Sequence, residues 1–374
     1  MEHPVTSVSH ARPPVSPGPS PIGPLTVELK GVARSFGPSP ALVDLDLSVP
    51  TGRITVLLGP NGAGKTTAIR MITGALRPDA GSVRVFGLDP EVDGEEVRLR
   101  CGVVSAKPAL YDRLSGRDNL QYAAELYGLG RRADEPIRVA AERFGIAEAL
   151  DQQVGGYSTG MKTRLALARS VLHDPELLLF DEPTSGLDPE SSHAVLELIR
   201  EMTAGGRTVV MCTHLLVEAE GLADRIVVLD AGTDLLAGTQ NELTRLYWPP
   251  NLVHLEAESP ADLEGLASWP EVAAIRPVDD RPGVVEVQLT EMSGLADVVT
   301  RLVGRGARLT RVEPHEPTLE DLYFAVRRDH RERLAAEGRD HEPGLAPVGG
   351  SNTLPPPPAR LRSRLDLEDE DADR

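Results

Sequence analysis

Aromatic side chains make up only 3% of this 374-residue sequence, and cysteine occurs twice, at Cys101 and Cys212. Two cysteines inside apolar runs exclude a disulfide framework or a cysteine-rich metal site, and they read as buried thiols of a protein kept in a reducing cytosol. No run approaches the ~18 apolar residues that cross a bilayer, and residues 1–24 lack the apolar region of a secretion signal, so any membrane role needs another chain. Positive charge is scarce as well: 39 Lys and Arg stand against 57 Asp and Glu, for a formal charge of −18. That balance argues against nucleic acid or an anionic membrane surface as the main partner, because both reward basic patches. Lysine occurs only at Lys30, Lys65, Lys107 and Lys162, so a lysine at a fixed motif position is less open to chance.

The length suffices for a full-sized domain and a smaller one. Residues 1–24 are rich in Pro and Ser, and residues 341–374 carry Pro355-Pro356-Pro357-Pro358 and an acidic run; both segments read as disordered. Between them, residues 25–246 alternate short β-rich runs with helical stretches, the pattern of an α/β domain with a mixed, largely parallel sheet. Runs near Leu25 and Leu42, with Ser82 to Val85, are expected to form an antiparallel β flank. A helical subdomain over about 107–165 is expected to interrupt the sheet, with helical periodicity from Tyr111 and a capping-box spacing at Ser115 to Asp118. Trp248-Pro249-Pro250 reads as a linker, and residues 250–328 as a small α+β domain of order β-α-β-β-α-β-α, ferredoxin-like or related, with a first helix over 261–267.

One stretch carries the strongest chemistry. Gly59-Pro60-Asn61-Gly62-Ala63-Gly64-Lys65-Thr66-Thr67 fits G-x-x-x-x-G-K-[ST] in full, and its flanks read as a buried strand (54–58) and a helix (68–72). The glycines let the backbone approach a ligand with no Cβ in the way, so main-chain N–H groups can ring a phosphate. The helix start adds a positive dipole end, Lys65 a point charge, and Thr66 a hydroxyl for Mg²⁺.

Further motifs follow in order. Ser158, in Tyr157-Ser158-Thr159-Gly160-Met161, reads as the N-cap of a helix whose start is also an anion site. Leu177 to Phe180 form an apolar strand ending in Asp181 and Glu182, one carboxylate suited to Mg²⁺ and the other to an attacking water. Asp188 and Pro189 read as N-cap and first residue of another helix, and His214 follows an apolar strand, where ligands gather in α/β folds. Each also has a plain structural reading as a cap, a solvated loop acid or a surface histidine.

Taken together, residues 25–238 resemble the nucleotide-binding subunit of an ATP-binding cassette transporter, a P-loop NTPase cassette. The resemblance implies ATP and Mg²⁺ as cofactors, Phe36 stacking on adenine, and residues 59–67 as the Walker A loop. Residues 157–161 match the family signature, Asp181 the Walker B carboxylate near Mg²⁺, and Glu182 the catalytic glutamate. Asp188 matches the D-loop aspartate and His214 the switch histidine that senses the γ-phosphate. The Tyr-Ser-Thr-Gly-Met form of the signature, and Pro317-Thr318-Leu319-Glu320-Asp321-Leu322-Tyr323, are similar to exporters of the ABC-2 and drug-resistance branch. The implied activity is ATP hydrolysis that powers a separately encoded membrane permease for export. The implied assembly is a head-to-tail pair, expected to be a homodimer, held at the inner face of the membrane through the permease, with no nucleic-acid partner. One departure stands out: Ala106 aligns where the family carries a Gln that touches Mg²⁺ and the attacking water, and Ala can orient neither; slowed hydrolysis, compensation by Lys107 or another group, and a loop shifted by one residue are the three readings of it. Two other readings stay open: a cassette ATPase acting on ribosomes or nucleic acid, and an ATP-binding regulatory subunit with little turnover.

Overall fold

Unbroken apolar runs decide the centre of the fold, because a strand buried on both faces has no polar side to alternate with. The structure is a computed structural model that describes residues 23–278 and 283–336. The segments expected to be disordered, 1–24 and 341–374, lie outside the described residues apart from Gly23 and Pro24. The chain divides between Thr239 and Gln240 into two compact units.

The first unit opens with β1 (Leu25–Phe36), β2 (Ser39–Pro50), β3 (Ile54–Leu58), α1 (Lys65–Ile72), β4 (Ala80–Val85), α2 (Gly94–Leu99) and β5 (Cys101–Val104). It continues through α3 (Gly116–Leu126), α4 (Asp134–Arg143), α5 (Thr159–Ser170), β6 (Leu177–Asp181), α6 (Pro189–Ala204), β7 (Thr208–Thr213), α7 (Leu216–Leu222), β8 (Arg225–Asp230) and β9 (Thr233–Gly238). These strands form one sheet in the order β4-β1-β2-β9-β8-β3-β7-β6-β5. Strands β5, β6, β7, β3 and β8 run parallel, and every residue of β3, β6, β7 and β8 is buried. At ~1.5–3 kcal/mol for each fully buried Leu or Val, these strands are the main apolar anchor of the unit. Burial also pushes the Cys101 thiol up to about 12 and Cys212 well above its ordinary value, so both are free, unreactive core thiols.

The expected antiparallel flank is present: β1 pairs antiparallel with both β2 and β4. Strand β9, which the sequence reading omits, pairs antiparallel with β8 and meets β2 at Asp44 and Thr233, joining flank to core. In the helical subdomain, α3 and α4 pack on α5. Its first helix begins at Gly116, directly behind the expected cap at Ser115, and α5 runs to Ser170, past the expected limit of 165. The Ser115 hydroxyl accepts the Asp118 N–H at 3.0 Å, and the Asp118 carboxylate accepts the Ser115 N–H at 3.4 Å, completing the capping box. Buried Asn119 ties the preceding loop down, donating to the Tyr111 and Ser115 carbonyls and accepting the Tyr111 N–H.

The second unit contains α8 (Gln240–Tyr247), β10 (Leu252–Ala257), β11 (Val272–Pro277), β12 (Val284–Leu289), α9 (Leu295–Gly304), β13 (Leu309–Pro314) and α10 (Leu319–Ala336). The expected boundary at 246 is therefore too late: α8 packs against α10, and Trp248 is buried rather than lying in an open linker. The sheet order β11-β12-β10-β13, antiparallel throughout, is the ferredoxin-like arrangement. The helix expected over 261–267 is instead two 3₁₀ turns, Pro260–Leu263 and Leu266–Ser268, because Gly265 between them takes φ 81° and breaks the helical path. Thr318 and Asp321 cap α10 reciprocally, the Thr318 N–H donating to the Asp321 carboxylate at 2.9 Å and the Asp321 N–H to the Thr318 hydroxyl at 3.2 Å.

Candidate nucleotide site

Because β3 lies beside β7, and β7 beside β6, the carboxyl ends of three neighbouring strands open at one edge of the sheet. That edge is where α/β folds bind ligands. The loop after β3 carries residues 59–64, the end of β6 carries Asp181 and Glu182, and the end of β7 carries His214.

Gly64 closes the loop with φ 103° and Gly62 takes φ 86°, conformations that a residue with a Cβ adopts only at a cost. The Gly59 N–H donates to the Thr213 carbonyl at 3.3 Å and the Ala63 N–H to the Pro60 carbonyl at 3.2 Å. Among the described residues, no hydrogen bond takes up the N–H groups of Asn61, Gly62, Gly64, Lys65, Thr66 or Thr67. Such a row of unengaged donors at a helix start is suited to an anion, so the loop fits a phosphate group.

The side chains converge on the same place. Buried Lys65 donates to the Gly59 carbonyl at 2.6 Å and the Pro60 carbonyl at 3.2 Å, and lies 3.1 Å from Glu182 Oε1. The Thr66 hydroxyl donates to Asp181 Oδ2 at 2.7 Å. Glu182 Oε2 meets His214 Nδ1 at 2.7 Å, while buried Oε1 has no aligned hydrogen-bond donor. A hydroxyl paired with a carboxylate is a hard oxygen donor set of the kind Mg²⁺ takes, so Thr66 and Asp181 fit that ion. Glu182 itself takes φ 51°, strained for a residue with a Cβ, and is held there by its N–H donating to the Cys212 carbonyl at 2.9 Å. Strain of this kind gathers at functional positions.

Sequence reading did not single out Glu218. It is buried on α7 and accepts the hydroxyls of both Thr184 and Thr213, tying the β6 exit to the end of β7 that carries His214. Its signal was faint: one acid four residues after His214, on a helix face that only the fold reveals as buried.

Burial pushes the Asp181 carboxyl above its ordinary value, partly offset by the Thr66 hydroxyl. The native state therefore holds the Asp181 proton to higher pH than the unfolded chain does. Stability falls as pH rises from about 3.8 through the raised value, and above it the ionised group carries its full desolvation cost. Asp181→Asn keeps an acceptor for Thr66 and removes the charge. In nucleotide-free and Mg²⁺-free protein, its melting temperature is expected to exceed wild type by a few degrees at neutral pH, on the order of 1 kcal/mol. The gain is expected to vanish below about pH 4; calorimetry that finds no gain, or an equal gain at both pH values, contradicts this account.

The remaining residues singled out in the sequence sit elsewhere. Ser158 caps α5, its hydroxyl accepting the Met161 N–H at 3.2 Å, and Asp188 caps α6, accepting the Ser191 N–H at 2.9 Å. Gly160 faces Leu187 and Ser191 around that second cap. Among the described residues, no hydrogen bond joins Ser158 or Gly160 to residues 59–67. Phe36 is exposed at the end of β1, with the Arg34 guanidinium 5.4 Å from its ring centre. Ala106 is exposed in the bend after β5.

This is the arrangement of a P-loop nucleotide-binding protein. Comparison with known proteins narrows it. The ABC transporter family model matches residues 42–185. The chain is 36% identical over 306 residues to the daunorubicin resistance ATP-binding protein DrrA3 of Streptomyces coeruleorubidus, covering 82% of this chain and 96% of that one. It is 34% identical over 303 residues to the Nod factor export ATP-binding protein I of a Rhizobium species, covering 81% and 97%. A solved ATP-binding subunit of an ABC transporter superposes with a TM-score of 0.55 at 30% identity, covering 59% of this chain and 92% of that one. The chain belongs to the ATP-binding cassette family of ABC transporter subunits, and it binds nucleotide.

Proposed function

We propose that the chain is the ATP-binding and ATP-hydrolysing subunit of an exporter, powering a separately encoded membrane permease for a drug-like, lipid-like or polymeric substrate. The convergence of Lys65, Thr66, Asp181, Glu182 and His214 at one strand edge carries this reading. In it, the free N–H groups of Asn61, Gly62 and residues 64–67 cradle the ATP phosphates and Lys65 leaves its carbonyl partners to meet them. Thr66 and Asp181 hold Mg²⁺, which supplies charge neutralisation on the phosphates. Glu182 orients and polarises the attacking water, and His214 holds Glu182 through its Oε2 while sensing the terminal phosphate. Phe36 provides a flat face for adenine.

Ser158 and Gly160 belong to the site of a second copy in this reading. The α5 start is an anion site with no bond to its own chain's loop, so a head-to-tail pair completes two sites with two nucleotides. Hydrolysis then loosens the pair and shifts the permease between two states. The subunit is held at the inner face of the membrane only through that partner; among the described residues, no helix is long and apolar enough to cross a membrane.

A groove of about 540 Å³ between α2, β5 and α3 supports permease docking. It is lined by Leu99, Tyr111, Tyr122 and Leu126, and Leu126 is 69% exposed. Exposed apolar clusters of this kind mark interaction sites. Leu126→Glu, at an exposed residue outside the nucleotide-binding motifs, is expected to leave nucleotide binding and basal hydrolysis within about two-fold while cutting co-purification with the co-expressed permease by about ten-fold or more, as loss of a buried apolar anchor does. Undiminished co-purification argues against this surface. Ala106 favours a second reading, a nucleotide-holding regulatory subunit with little turnover; steady-state hydrolysis separates the two.

A further inference from the structure

The ferredoxin-like unit carries a polar row that a sheet face has no structural need to bury. Arg276 on β11 pairs with Glu286 on β12, and Glu286 pairs with His254 on β10. His254 and Glu286 are 8% and 7% exposed. His315, just past β13, is anchored by its N–H donating to the Leu252 carbonyl at 2.8 Å, and its ring stacks on His254 with centroids 4.3 Å apart. One ligand atom from each of His254, Glu286 and His315 lies within 4.8 Å of the other two.

We propose that His254, Glu286 and His315 form a binding site for a divalent transition cation of the zinc class. Two imidazoles and one carboxylate are the donors such ions take, whereas Mg²⁺ and Ca²⁺ prefer oxygen alone. Two ligands about 2.0 Å from a tetrahedral ion stand roughly 3.3 Å apart. His254 Nε2 and Glu286 Oε2 are 3.7 Å apart, too long for a hydrogen bond and a few tenths of an ångström from that spacing. Arg276 engages the other carboxylate oxygen, Oε1, at 3.1 Å, which orients Glu286 and leaves Oε2 facing the histidines. Acidic Asp321 and Glu313 lie in the same field, the latter paired with Arg311. The ion would join β12, β10 and the segment after β13, three separate parts of the small sheet, and His315, the least buried of the three, leaves the open side. This site is independent of the nucleotide edge and of the reading given to it.

The test uses untagged full-length chain, stripped with chelator, in excess Mg²⁺ to occupy oxygen sites. Titration with Co²⁺ is read by its visible absorption, followed by displacement with Zn²⁺. The expected result is one Co²⁺ per chain with the absorption of a four- or five-coordinate ion, and a rise in melting temperature with Zn²⁺. In His254→Ala and in His315→Ala, affinity is expected to fall by more than the roughly 10–100-fold that loss of a supporting partner costs, with basal ATP hydrolysis unchanged. His315→Ala keeps the test valid if the more buried His254→Ala does not fold. Absence of Co²⁺ absorption in wild type, or equal uptake by wild type and His315→Ala, overturns the proposal and leaves a stacked histidine pair beside an Arg–Glu ion pair.

Discussion

Glu182→Gln is expected to lower steady-state ATP hydrolysis by about 10²–10⁴-fold, the range that a positioned acid or base contributes, while leaving nucleotide affinity within a few fold. Glu182 sits between two partners, Lys65 3.1 Å from Oε1 and His214 2.7 Å from Oε2. Gln keeps an oxygen for one of those partners, and the strained backbone at φ 51° with its bond to the Cys212 carbonyl is unchanged. The site's shape therefore survives, whereas the charge that would polarise a water does not. In the proposed mechanism nucleotide binding rests instead on the loop N–H groups and Lys65, which the substitution releases from an ion pair. The predicted split is a collapsed kcat with an unchanged or tightened Kd, measured by phosphate release and by a fluorescent nucleotide. If wild type and variant prove equally silent, Glu182 is not the catalytic group, and the low-turnover reading suggested by Ala106 takes its place.

How much of this was legible in the sequence depends on how local the cause is. Residues 59–67 were readable because the G-x-x-x-x-G-K-[ST] spacing and its strand and helix flanks are local requirements of one loop. The caps at Ser115, Ser158 and Asp188 were readable for the same reason, a side chain bonding three residues ahead. The strand β9 was missed because Thr233–Gly238 is short, with Gly and Ala in its latter half, and owes its state to pairing with β8. The helix expected over 261–267 failed on a single residue, since a left-handed Gly265 is invisible to apolar periodicity. The bonds from Thr184 and Thr213 to Glu218 span 34 and five residues and depend on the order of β6 and β7 in the sheet, which no local pattern encodes. The contact of Lys65 with Glu182 is of the same kind: the motifs named both residues, and only the sheet order brings them together.

Gly59 and Gly62 belong to one motif, yet their substitution is expected to differ in kind. A Cβ built on Gly59 falls 2.3 Å from the carbonyl oxygen of Leu229, on β8 beside β3, and 3.2 Å from Ala63 Cβ. The obstacle is main chain of a fully buried strand, so it has no rotamer through which to yield. Gly59→Ala must push β8 or the loop aside, and overpacking of this sort costs about 1–3 kcal/mol and occasionally more. Movement of the loop also disturbs the row of N–H groups that begins at Asn61, so nucleotide affinity is expected to fall by at least about ten-fold, the equivalent of ~1.4 kcal/mol. A Cβ on Gly62 meets nothing within 4 Å, and its cost is the left-handed φ of 86° alone, roughly 1–2 kcal/mol. Urea unfolding with nucleotide titration of both variants tests the distinction. Gly59→Ala is expected to lower the midpoint further and to lose nucleotide binding, while Gly62→Ala folds and binds more weakly than wild type. Equal unfolding midpoints for the two would mean that β8 yields to the added methyl group, and that the close approach of the loop after β3 to β8 is not what fixes glycine at position 59.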